Sequence, residues 1–153
     1  MAPNTAALAT AISNLSVSGV TFKDISAIPK FVKDTDCPIF FPNPDEWFSS
    51  MQTDPKIDMI GIAGQFDVTR TLKYIYLHKV STAANTIAVN YPSMAANVDL
   101  IYNAIGNMNN YAASVVSISV SRFGEIQAPQ SGQLRNVFFG CFFDINFMEI
   151  VNR

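Results

Sequence analysis

Charged residues are scarce in this sequence, and those present form no basic cluster. Asp, Glu, Lys and Arg make up 14% of the chain, whereas about a quarter is usual for globular proteins. The formal net charge is −2. Sequence-independent nucleic-acid binding needs a lysine- or arginine-rich surface, so we set that function aside. Hydrophobic residues reach 49%, so either the core is unusually large or some apolar surface contacts other proteins, and we expect the second.

The residues that most catalytic and metal sites use are also few. His78 is the only histidine, and Cys37 and Cys141 are far apart, without metal-ligand spacing. We expect two buried thiols and a surface histidine at the end of a strand. A Cys37–His78 dyad is the alternative, although nothing around Cys37 indicates a lowered thiol pKa.

The acidic residues and glycines match no known ligand-binding loop. Asp34, Asp36 and Asn43 lack the central glycine and terminal glutamate of a calcium loop, so loop solvation and helix capping are expected. The segment from Gly61 to Gly64 is too short for a phosphate loop and is followed by a strand. The sequence therefore predicts no enzyme, no cofactor and no metal.

Targeting signals are missing from the sequence as it stands. Residues 1–15 have no positively charged segment, and their apolar residues are interrupted by polar ones, unlike a signal peptide. No window approaches the roughly 18 apolar residues of a membrane-spanning helix. We therefore expect a protein that folds in a cytoplasm.

Two helices are indicated by apolar residues at helical spacing. The first extends to about Leu15, with Leu8, Ile12 and Leu15 on one face. The second is predicted to begin at Tyr91-Pro92-Ser93, since proline suits a first helical turn. Its core-facing stripe consists of Met94, Val98, Ile101, Ile105 and Met108.

Alternating side chains indicate three long strands. They cover residues 68–80, 114–123 and 136–150, with a connection predicted from Gly124 to Gly132. In the last strand one face carries Val137, Phe139, Cys141, Phe143, Ile145 and Phe147. The element order predicts one α+β domain over residues 1–153, a mostly antiparallel β-sheet with two main helices packed on one face.

Residues 38–65 are predicted to form a long loop or arm. Prolines at 38, 42, 44 and 55 prevent a central strand there, and the region is longer than a simple connection needs. Large aromatic side chains are favoured at interfaces, so Phe40, Phe41, Trp47 and Phe48 are subunit-interface candidates. Packing in the domain's own core is the alternative for Trp47 and Phe48.

The order of the predicted elements along the chain is distinctive. An N-terminal helix is followed by the short extended segment Gly19-Val20-Thr21-Phe22 and by Asp36-Cys37-Pro38-Ile39-Phe40-Phe41, which leads into a strand. A long strand from Thr71 to Lys79, a helix and two further long strands complete the chain. This layout resembles the tail-terminator and head–tail joining (neck) proteins of long-tailed bacteriophages. The loop at 52–65 is longer than this family's layout would lead us to expect.

The resemblance implies a structural virion protein without catalysis. Such a protein forms a homo-oligomeric ring, typically a hexamer, between tail-tube and head-connector proteins, and it is assembled in the host cytoplasm. Another phage tail subunit is one alternative function. A small-ligand-binding or enzymatic α+β domain, with a pocket over the sheet, is the other.

Overall fold

The computed structural model describes residues 5–28, 32–44, 56–59, 65–84, 86–108, 113–127 and 137–152. Within these described ranges lie two α-helices and six strands. They are α1 (Thr5–Ser13), β1 (Thr21–Phe22), β2 (Ile39–Pro42), β3 (Lys56–Met59), β4 (Gln65–Val80), α2 (Ile87–Gly106), β5 (Ala113–Gln127) and β6 (Val137–Asn152). Short 3-10 turns lie at Ile25–Ala27 and Asp34–Asp36.

All six strands belong to one mostly antiparallel sheet. The strand order is β1-β2-β4-β6-β5, and β3 pairs with the first part of β4. Only the short β1–β2 pair is parallel. The strand β6 therefore lies between β4 and β5, and its residues pair with both along most of its length.

Both helices pack on one face of the sheet, so the predicted α+β architecture is confirmed. From the helices, the core receives Leu8, Ala9, Ile12, Met94, Val98, Ile101 and Ile105. From the strands, it receives Phe40, Leu72, Tyr74, Tyr76, Phe139, Cys141, Phe143, Ile145 and Phe147. The alternation in β6 thus directs one set of side chains toward the helices, as the sequence predicts.

The opposite face of the sheet is apolar at one end and polar at its middle. At the apolar end, the segment between β1 and β2 contributes Ile28, Val32 and Cys37 to a second core with Ile39, Phe41, Ile75, Leu77, Ile126 and Phe138. At the middle, Asn146 accepts a hydrogen bond from Thr71 Oγ1 at 2.6 Å and donates one to Ser117 Oγ at 2.7 Å. The Nζ of Lys73 lies 3.6 Å from Oδ1 of Asp144.

Three register shifts interrupt the ladders of β6 with its two neighbours. One lies between Leu77 and Lys79 of β4, so that His78 is an extra residue. Across the ladder from it is Gly140, where a Cβ would collide with the carbonyl oxygen of Tyr76.

The other two shifts are in β5. They lie between Val115 and Ser117 and between Ser121 and Gly124.

Several boundaries differ from the sequence-based expectation. The helix α2 begins at Ile87, so Pro92 lies inside it and not in its first turn. The strand β5 continues through Gly124 to Gln127, where a connection was predicted. The strand β3 occupies part of the predicted long loop. The strand β2 is short, as expected, but β1 and β4 flank it at Ile39 and Phe40.

Candidate functional site

His78 is buried, so the prediction of a surface histidine was wrong. Its side chain is only 8% exposed. Because His78 is the extra residue of the β4 bulge, it departs from the simple alternation of the strand. Its ring meets the polar side chains of α2. Both ring nitrogens of His78 thus have polar side-chain partners.

Four polar side chains and one backbone carbonyl form what we call the His78 chain: the side chains of Asn97, Tyr76, His78 and Ser93, and the carbonyl of Asn90. The Nδ2 of Asn97 donates to the Tyr76 hydroxyl at 3.0 Å, and that hydroxyl lies 2.7 Å from His78 Nδ1. His78 Nε2 lies 3.0 Å from Ser93 Oγ, which donates to the carbonyl oxygen of Asn90 at 3.1 Å. The chain thus joins β4 to α2.

The hydrogen bonds at the two ends of the His78 chain assign the hydrogens of Ser93, His78 and Tyr76. We assign the Ser93 hydrogen to the Asn90 carbonyl, and with this assignment Nε2 of His78 carries a hydrogen and donates to Ser93 Oγ. Since Asn97 donates to the Tyr76 oxygen, the Tyr76 hydrogen is directed to Nδ1, which accepts it. All these hydrogen bonds run from Asn97 toward Asn90, around a neutral His78 with its hydrogen on Nε2.

The ionisation of the chain's residues agrees with this neutral arrangement. Burial, and secondly the charge of Lys79, lowers the pKa of His78. Burial raises the pKa of Tyr76, against a smaller opposing effect of the Asn97 hydrogen bond. Nucleophilic catalysis by Ser93 would need an unprotonated Nε2 as base. Here Nε2 is the donor, so the arrangement joins two elements and does not activate the serine.

The two cysteines are weak nucleophiles in this structure. Burial, followed by the charges of Asp34 and Asp36, raises the pKa of Cys37 to about 12. Burial raises the pKa of Cys141 to about 12 as well. Cys37 packs against the second core, on the opposite face of the sheet from the His78 chain. The hypothetical Cys37–His78 dyad is therefore not formed.

The acidic pair before β2 organises the backbone. The carboxylate of Asp36 accepts from the backbone N–H of Lys33 at 2.8 Å, and that of Asp34 accepts from the N–H of Val80 at 3.0 Å. The Asp36 contact is a cap of the 3-10 turn, as the sequence predicts, whereas the Asp34 contact ties this turn to the end of β4. In the described part of the chain, no three His, Cys, Asp or Glu side chains cluster as a metal site requires. Residues 61–64 lie outside the described residues.

The structure places two of the four interface candidates inside the subunit itself. Phe40 is 1% exposed and packs in the core beneath the helices, with its ring stacked on Tyr74 at 4.9 Å. Phe41 is 0% exposed and lies in the second core. Their side chains are therefore not on a surface that another subunit could contact. Trp47 and Phe48 lie outside the described residues.

A different surface, not identified from the sequence, carries exposed apolar side chains. On α2, Val89 is 68% exposed and Tyr91 56%, and Leu100 and Tyr102 are also exposed. Tyr91 contacts Phe123 of β5 edge-to-face, with ring centroids 5.7 Å apart. Asp99 is the only charged residue of this 20-residue helix. That near-absence of charge on a surface helix was the available sequence signal.

The outer edge of β5 continues this surface. One side of the 15-residue strand pairs with β6, and no strand among those described pairs with the other side. Between Ala113 and Ser121 the strand has no charge and no proline. Monomeric proteins usually protect a long edge with such residues. We call the β5 edge, Phe123, Tyr91 and Tyr102 together the β5–α2 surface.

Comparison with known proteins gives no relative for this fold and surface. The chain matches no protein-family model, no curated protein and no solved structure. No helix in the described ranges combines the length and the apolar character needed to cross a membrane.

Proposed function

We propose that this chain is a structural virion subunit that assembles with copies of itself into a ring at the head–tail junction or tail end of a long-tailed bacteriophage. The ring, a hexamer in this hypothesis, contacts tail-tube and head-connector proteins and performs no catalysis. The β5–α2 surface carries the assembly part of this proposal. The phage assignment rests on the resemblance of the chain's layout to tail-terminator and neck proteins.

The unprotected edge of β5 is the observation that favours assembly. An edge strand offers unpaired backbone N–H and C=O groups, and a second chain can satisfy them by adding a strand. The stretch before Arg122 combines β-branched residues and serine without any charge that would oppose such pairing. Its length, 15 residues, is well above the usual five or six.

The exposed side of α2 supplies apolar contacts beside that edge. Tyr102 follows Tyr91 by about three helical turns, so both project from the same side of α2. Tyrosine is enriched at protein interfaces because it combines a large apolar ring with a polar group. Phe123 of β5 touches Tyr91, and this contact links the exposed side of α2 to the strand edge. We therefore place the subunit contact there, and no longer at Phe40 and Phe41.

A charge on the edge tests this contact. Ser119 is exposed on β5, so Ser119→Lys should leave the melting temperature nearly unchanged while lowering the assembled fraction. Ser16→Lys makes the same change at an exposed serine after α1 and is the matched control. Light scattering over a concentration series measures the assembled fraction. Equal assembly of both variants and the unmodified chain would remove the β5 edge from the proposal.

The virion assignment needs a separate measurement, because such rings can require a template. Mass spectrometry of purified particles should detect the chain, and electron microscopy should locate it in the neck or at the tail end. Detection in the tail tube would instead favour the alternative of another tail subunit. Absence from particles would overturn the assignment even if the free protein assembles.

The arm hypothesis for Trp47 and Phe48 stays a prediction. If these side chains contact a neighbouring subunit, Trp47→Ala combined with Phe48→Ala should reduce assembly and leave monomer melting nearly unchanged. An unfolded or insoluble double mutant, with normal assembly of the surviving protein, would assign both residues to the core.

A candidate location for the ligand-binding alternative lies at the end of β4. It is an open depression of about 530 Å³, lined by Asp34, Lys79, Val80, Thr82 and Ala84. A monomer at all concentrations, together with a small molecule bound there, would favour this alternative over assembly.

A further inference from the structure

We propose that the His78 chain is an acid-sensitive contact that holds the N-terminal half of α2 on the sheet, and that protonation of His78 loosens this half of the helix. The inference rests on the hydrogen-bond geometry between β4 and α2 and is independent of the proposed virion role. It assigns a conformational function to the chain's only histidine.

The direction of the hydrogen bonds makes the contact sensitive to one proton. In neutral His78, Nδ1 accepts the Tyr76 hydrogen and Nε2 donates to Ser93. A proton added at Nδ1 would point at the Tyr76 hydrogen. The Tyr76 oxygen already receives a hydrogen from Asn97, so its hydroxyl cannot turn without disturbing that bond. At least one bond of the His78 chain must therefore break or rearrange, and two of its bonds, from Asn97 and to Ser93, join β4 to α2.

The helix is weaker at this end than in its second half. Pro92 has no N–H and cannot donate to the carbonyl of Ala88, so one intrahelical bond is missing. Thr86, the residue before the helix, makes no side-chain cap hydrogen bond. Of residues 87–97, Met94 enters the apolar core, whereas beyond Asn97 the helix is anchored by three buried apolar side chains, those of Val98, Ile101 and Ile105. Loss of the polar contact should consequently affect residues 87–97 most.

Few charged or titratable groups other than His78 lie where they could make this contact depend on pH. Lys79 is adjacent and disfavours a second positive charge. On β6, the Cys141 thiol lies opposite Tyr76, and its pKa, raised by burial to about 12, keeps it uncharged. On α2, the side chains of Ser93 and Asn97, which belong to the His78 chain, are neutral, and the Asp99 side chain is exposed. On β5, Glu125 accepts a hydrogen bond from a serine hydroxyl after β4.

The sign of the pH effect follows from the direction of the pKa shift. Burial lowers the pKa of His78 below the ordinary value of 6.5, so the unfolded chain takes up a proton first as the pH falls. The contribution of His78 to stability is therefore complete above about pH 6.5 and decreases below it. Local opening of α2 should follow the same direction.

Nuclear magnetic resonance can test the inference on the unmodified protein, since the single histidine gives unambiguous ring signals. We expect the Nε2–H tautomer at pH 8 and a His78 pKa below that of the same histidine in denaturant. Hydrogen-exchange protection of the amides at 87–97 should fall as His78 is protonated, while that at 98–106 changes less. An Nδ1–H tautomer, a pKa at or above the denatured value, or uniform protection would each overturn the proposal.

One substitution should reverse the donor–acceptor direction of the hydrogen bonds between residue 97, Tyr76 and His78. In Asn97→Asp the carboxylate only accepts, so the Tyr76 hydrogen turns toward it and Nδ1 becomes free to carry a hydrogen. We expect the neutral tautomer to change to Nδ1–H and the pKa of His78 to rise. Asn103→Asp adds the same charge at an exposed position of α2 and should leave the tautomer unchanged. A tautomer that is the same in both variants contradicts the assigned direction.

Discussion

Truncation of Phe143 measures how strongly β6 is fixed in the core. The side chain is 0% exposed, and its ring meets Phe40 edge-on with centroids 5.2 Å apart. Burial of a phenylalanine contributes about 1.5–3 kcal/mol, and an edge-to-face aromatic contact adds about 0.5–1.5 kcal/mol. With the cavity that remains, Phe143→Ala should lower the free energy of unfolding by about 3–5 kcal/mol.

The neighbouring residue offers a control on the opposite face of the same strand. Phe142 is only partly buried, and the Arg122 guanidinium lies 5.4 Å from its ring centroid. Because less apolar surface returns to water, Phe142→Ala should cost about 1–2 kcal/mol. Urea denaturation followed by circular dichroism measures both values. The two losses can be compared if the m-value is the same in both variants and in the unmodified protein. A loss below about 1 kcal/mol for Phe143→Ala, or a larger loss for Phe142→Ala, would refute the facing of β6.

Three further predictions use other local features. Gly140→Ala should cost about 3 kcal/mol or more in a urea melt, because its methyl group would overlap the Tyr76 carbonyl oxygen, whereas Gly106→Ala, in open space, should not destabilise the protein. Pro92→Ala should raise the free energy of unfolding by about 2 kcal/mol by restoring an intrahelical hydrogen bond; an unchanged melt would show that the helix does not use that bond. Cys37, with its pKa raised to about 12, should react with iodoacetamide at pH 8 far more slowly in the native than in the denatured protein, and equal rates would contradict its burial.

The helices and strands with a regular hydrophobic pattern were predictable because each of their faces meets a single kind of environment along its length. Along β6, alternate residues enter the core beneath the helices, as Phe143 and Ile145 do, and the period of two reveals this directly. The stripe from Met94 to Ile105 identifies the buried side of α2 for the same reason. Fold class followed from these patterns and from the element order.

The wrong predictions came from residues whose local preference was overridden by tertiary structure. Pro92 suggested a helix start, but the helix begins a turn earlier and includes the proline. Gly124 suggested a turn, but it lies across from Gly140 in a continuing ladder. The prolines around Phe40 and Phe41 suggested an exposed arm, whereas both faces of β2 are covered.

The candidate site was the least predictable part. No sequence signal announces the bulge that brings His78 to α2, and Asn97 and Ser93 gain their partners only when β4 and the helix pack together. The exposed side of α2 could have been noticed, because Asp99 is its only charge. Its continuation along the β5 edge depends on strand order, which periodicity does not reveal.

The central position of β6 has a consequence for how the molecule is made. Thr71 pairs with Asn146 across 75 positions of sequence, and Ser117 reaches the same residue across 29. Because β4 and β5 are joined only through β6, a ribosome must synthesise both strands well before the partner that unites them. Until then the inner face of β4 and the charge-free stretch of β5 are exposed together, and each can bind a nascent neighbour or a chaperone. The rate at which β6 is delivered, more than the stability of the finished sheet, would then set the yield of folded subunits.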